Sequence, residues 1–109
     1  MPEFTKSERS KLRDLAASVY EAEAHKMLEA LDAEFGRWRQ GEIQSSELLR
    51  AIHDFHQRPS RELWSMYQTL KSPEIVARGI ALSLIDEPIA QDLRDKLELL
   101  VTLFSRGVA

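Results

Sequence analysis

A helical pattern of apolar residues runs from about Lys6 to Gln40, with no glycine or proline before Gly36. Leu12, Ala16, Tyr20, Ala24, Met27, Leu31, Phe35 and Trp38 recur at intervals of three or four residues, as one stripe of an α-helix does. Thr5-Lys6-Ser7-Glu8 has capping-box form: a hydroxyl takes a free amide at the helix start and a carboxylate reaches back. The abundance of Ala, Leu, Glu, Lys and Arg favours helix intrinsically. At about 1.5 Å per residue such a helix is about 52 Å long, whereas a compact domain of about 100 residues is only about 35 Å across. One helix then overhangs its own globule, unless it breaks near Ala22–His25 and folds back. No glycine or proline stands there to kink it.

The mean interval of the stripe, about 3.7 residues, exceeds the ~3.5 of a left-handed coiled coil, so the stripe drifts around the helix and a two-stranded coiled coil is disfavoured. Leu15, Val19 and Ala22 widen the apolar arc of the N-terminal half, so different parts of this helix meet different neighbours. A projecting apolar arm calls for cover, and a second copy of the chain supplies it. Self-association is therefore expected through Leu12, Leu15, Val19 and Tyr20. The last helix offers a second surface, Leu99 and Leu103, on an edge shared with Asp92 and Lys96, which stand four apart and can pair as ions. Burial of these leucines by the first helix is the alternative.

Punctuation divides the remainder. Gly41 ends the first helix, Ser45 caps a second from about Ser46 to Gln57, and Pro59 breaks it. Pro59-Ser60 opens a third helix to about Lys71, with Leu63, Trp64, Tyr67 and Leu70 inward. Ser72-Pro73-Glu74 repeats the start signal before Ile75–Ile85, a segment whose only charge is Arg78 and whose middle holds Gly79. With no second strand to pair with, this segment is expected to be helix, the glycine marking a close backbone approach. After Asp86-Glu87-Pro88 a last helix runs to about Arg106, with Ile89, Leu93, Leu97, Leu100, Val101 and Phe104 as its stripe and Gly107 as its stop. The expectation is one all-α domain over residues 1–109, a long N-terminal helix packed with four shorter ones.

Composition removes whole classes of function. The 109 residues include no cysteine, which excludes a disulfide framework, a thiolate nucleophile and a thiolate metal site. No apolar run approaches the ~20 residues of a membrane span, and Met-Pro-Glu-Phe-Thr-Lys lacks the order of a signal peptide, so a cytoplasmic protein with no membrane partner is expected. A net charge of −3 gives no general attraction to nucleic acid. The charge is uneven, however. Between residues 37 and 61 five arginines outnumber three acids. Arg50, Arg58 and Arg61 flank Ser60, where the expected start of the third helix would present free amides to a phosphate or carboxylate. Pairing of these arginines with Glu47, Asp54 and Glu62 is the plainer alternative.

His53 and His56, three apart, and Glu21 and His25, four apart, supply N and O donors for a metal between two facing helices. The Glu-then-His spacing of three that marks di-iron bundles is absent, and His56 falls on the apolar side of its helix, where a hydrogen-bonded structural role is expected. No serine stands in a Gly-x-Ser-x-Gly turn and no other catalytic motif is legible.

From Trp38 through Tyr67 the order W-R-Q-G-E-I, S-S-E-L, I-H-D-F-H and R-P-S-R-E-L-W resembles short bacterial proteins that are helical throughout. The resemblance covers about a quarter of the chain. It implies a bacterial cytoplasmic source and a helix-turn-helix-turn-helix unit, with no activity or site residue attached. The leading expectation is a non-enzymatic helical interaction protein without a cofactor, forming a homodimer or meeting a protein partner. The alternatives are a small antitoxin-like regulator using the arginine cluster on a protein or nucleic-acid backbone, and a histidine-based metal binder.

Overall fold

The computed structural model describes residues 3–107; the first two residues of the Met-Pro-Glu-Phe opening lie outside them. They form helices α1 (Lys6–Arg39), α2 (Ser45–Phe55), α3 (Arg61–Thr69), α4 (Ser72–Ala81) and α5 (Gln91–Ser105), with no strand among them. A π-turn, His56–Ser60, joins α2 to α3 without a gap, so the described residues make four separate helices rather than the expected five. Pro59 does not break the helix. An α-turn would press the proline ring on the Phe55 carbonyl, and the wider π-turn lets the chain pass.

The chain divides into two compact units, one of residues 1–22 and 70–109 and the other of residues 23–69. Helix α1 is continuous through Ala22–His25 and contributes to both. Its length thus serves two sets of neighbours, as the drifting stripe implies. Near its start Glu8 N–H donates to Thr5 Oγ1 at 3.1 Å and Thr5 N–H to Glu8 Oε1 at 2.8 Å, the reciprocal box expected there.

In the first unit Leu12, Leu15, Ala16 and Val19 of α1 are buried together with Ile75, Val76 and Ala77 of α4 and Leu93 and Leu97 of α5. The fourth segment is helix, and Gly79 on it lies against Val19: a β-carbon there would stand 2.5 Å from Val19 Cγ2. Leu12, Leu15 and Val19 are therefore not a surface awaiting a second copy. Their own chain covers them, because the wide apolar arc faces α4 and α5. Lys96 pairs with Glu8 Oε1 at 2.6 Å rather than with Asp92, and Lys11 with Glu87 at 2.8 Å.

The Glu8 carboxyl is held below the usual carboxylate range, chiefly by the Lys96 hydrogen bond and then by the Thr5 amide. A carboxyl with a lowered folded-state pKa stabilises the fold above its ordinary pKa, and that contribution disappears as pH falls through the lowered value. The acid limb of a pH–stability curve for Glu8→Gln is expected to be shallower than that of the parent. Superimposable limbs would contradict this.

Three helices stop at a residue in the left-handed region. Gly41 (φ 76°) and Gly107 (φ 70°) are two, and Ser83 (φ 57°) is the third. After α4, Ser83 N–H donates to the Ile80 carbonyl at 3.1 Å and Leu84 N–H to the Gly79 carbonyl at 2.8 Å, a Schellman stop that ends the helix short of the expected Ile85. Glycine suits this conformation better than serine, so Ser83→Gly is expected to stabilise the protein by about 0.5–1 kcal/mol in urea unfolding.

Candidate functional site

The second unit is an antiparallel helical hairpin. The C-terminal half of α1 leads through Gly41 into α2, whose start is held by Gln44 rather than Ser45: Glu47 Oε1 accepts the Gln44 N–H at 3.2 Å. Ser45 instead accepts the Trp38 indole N–H at 3.0 Å, close to the turn. At the far end Tyr67 OH donates to Glu23 Oε1 at 3.1 Å. These two bonds fix the order in which the arms face each other.

Between the arms lies an open cleft of about 720 Å³. Met27, Ala30, Leu31 and Glu34, spaced as one face of a helix, form the α1 wall. Ala51, His53, Asp54 and Phe55 of α2 and Gln57, Arg58 and Pro59 of the π-turn form the other. Apolar side chains make most of it, and four charged or titratable groups edge it. Arg37 pairs with Glu34 at 3.2 Å along α1. Asp54 and Arg58 are four apart yet do not pair, because the π-turn between them widens the helix.

This unit is thinly cored. Ile43, Leu48 and Leu63 are its buried apolar residues among those described, against nine in the first unit. Leu28, Trp38, Leu49 and Trp64 remain exposed at 56%, 41%, 67% and 64%. Trp64 was expected inward with Leu63, but successive residues stand about 100° apart on a helix and only Leu63 is buried.

The expected sites fare differently. Arg58 lines the cleft, whereas Arg50 and Arg61 are exposed outside it and Ser60 is half-buried. The expected anion site at Ser60 does not form, since the helix runs on through this point and the Arg61 N–H donates to the Arg58 carbonyl instead of standing free. His53 edges the cleft and His56, expected on the apolar side, is exposed at the start of the widened turn. His25 stands 3.5 Å from Glu29, and Glu21 is exposed. Among the described residues no group of three or more histidines or carboxylates is placed to hold a metal ion, so Glu21, His25, His53 and His56 do not assemble as one. In the first unit Tyr20 is 42% and Leu99 67% exposed, and Leu103 is half-buried.

Sequence reasoning missed the cleft. Met27 and Leu31 fall on the apolar stripe of α1, and Pro59 inside an otherwise helical pattern is the signal in the sequence that marks it. No helix among the described residues is long and apolar enough to cross a membrane. No protein-family model, curated protein or solved structure matches the chain.

Proposed function

We propose that the protein is a non-enzymatic interaction protein that presents the cleft of its second unit to a helical surface of a protein partner. The observation that carries this reading is the imbalance of that unit: three buried apolar residues against nine in the first unit, four large apolar side chains in solvent, and an apolar cleft between its helices. A partner helix with apolar residues at i, i+3, i+4 and i+7 would give such a cleft the cover it lacks.

A photoreactive amino acid at Ala30, an exposed position on the cleft wall, tests the reading in cells that make the protein. Protein adducts are expected from position 30 and not from Ala17, an exposed position of the first unit outside the cleft. Equal labelling from both positions, or no adduct from Ala30, would contradict it.

A further inference from the structure

Glu34, Asp54 and Arg58 are the charged side chains on the lining of the cleft, and the fold leaves two of them unanswered. Glu34 on the α1 wall already holds Arg37 at 3.2 Å. Asp54 and Arg58 on the opposite wall are in no ion pair among the described residues. Four positions apart on an ordinary α-turn they would pair with each other, but the π-turn that accommodates Pro59 begins between them and holds them apart. Both are exposed, so water serves them while the cleft is open. Met27, Leu31 and Phe55, all half-buried, share the lining with them.

A helix laid along the cleft to cover those apolar side chains also takes water from Asp54 and Arg58. A wholly apolar partner would strip both charges and replace nothing, which is costly. A uniformly basic partner would set like charge on Arg58, and a uniformly acidic one would do the same to Asp54. A partner with both signs answers the two together. Their four-residue separation is about 6 Å along the helix axis, so a helix running alongside reaches both with side chains one turn apart. We infer that the partner is an amphipathic helix with an acidic and a basic residue three or four positions apart beside its apolar stripe, the acid set on Arg58 and the base on Asp54. This inference rests on the proposed role of the cleft and gives its occupant a chemistry. A partner helix antiparallel to α2 would carry the acid N-terminal to the base, the order that also favours an isolated helix.

The photoreactive amino acid at Ala30 supplies the test, with the full chain in cells that make it. Peptide mapping of the parent adduct is expected to place the cross-link on a segment with apolar residues at i, i+3, i+4 and i+7 and an acid and a base three or four apart beside them. Reversing the cleft charges singly, Asp54→Lys or Arg58→Glu, sets like charge against the partner and is expected to lower the adduct yield about threefold or more. The double variant Asp54→Lys/Arg58→Glu keeps the net charge of −3 and is expected to lower it at least as far. Both positions are exposed, and a helical circular dichroism spectrum like the parent's keeps a lost fold from passing as lost binding. A cross-linked segment without such a pair of charges, or yields unchanged in all three variants, would overturn the inference while leaving the cleft its role. No adduct from Ala30 in the parent would end both.

Discussion

Gly79→Ala is expected to destabilise the protein by about 1 kcal/mol, although alanine is the better helix former. The added methyl would stand 2.5 Å from Val19 Cγ2 and 3.1 Å from Cγ1. Val19 is fully buried and β-branched, with one favoured rotamer in a helix, so it cannot turn aside. Overpacking of this kind costs about 1–3 kcal/mol and more if the helices must part, against about 1 kcal/mol gained in helix propensity. Urea unfolding measures the net. The double variant with Val19→Ala supplies the mechanism, because the new methyl then occupies space that the valine vacated. The double change should cost at least about 1 kcal/mol less than the two single changes together. Simple additivity would mean that the two side chains do not share this space.

Leu15→Ala is expected to cost about 3 kcal/mol, the usual loss for a fully buried leucine whose cavity closes only in part. Its second readout matters as much as its first. A leucine at a contact between copies would, on truncation, lower the native mass and leave the monomer's stability nearly intact. A leucine inside the chain's own core does the reverse. Unfolding at lower urea with an unchanged native mass is the expected pair of results, and a lowered native mass at unchanged monomer stability would restore the surface first expected of α1.

Much of the local structure was legible because it depends on neighbours in sequence. The Thr5 to Glu8 box, the stops at Gly41 and Gly107, and the close approach at Gly79 each follow from a residue whose chemistry has few alternatives. The limits of α1 followed from an unbroken pattern. What failed depended on partners distant in sequence, or on one of two local solutions. Pro59 inside a helical pattern permits a break or a widened turn, and the spacing of apolar residues is compatible with either. Ser83 takes a conformation that glycine usually takes, so nothing in its identity announced the end of α4. Lys96 chose Glu8, 88 positions away, over Asp92 on its own helix. A single globule would leave a helix of this length overhanging, whereas the two halves of α1 belong to different compact units.

The candidate site was the least legible part, since a cleft is defined by what two helices leave open between them. Arg58 and His53 were singled out for anion and metal chemistry that needs a helix start or a ligand cluster, and the fold supplies neither. Both nevertheless border the cleft, where their charge and polarity edge an apolar surface.

As proposed, the protein meets its partner through this cleft rather than through the N-terminal half of α1, whose Leu12, Leu15 and Val19 are buried. A photoreactive amino acid placed in turn at Ala30 and His53 on the cleft, and at Ala17 and Tyr20 on the first unit, in cells that make the protein, separates the two surfaces. Protein adducts are expected from Ala30 and His53 and absent from Ala17 and Tyr20. Adducts confined to Ala17 and Tyr20, or none from any of the four positions, would contradict it.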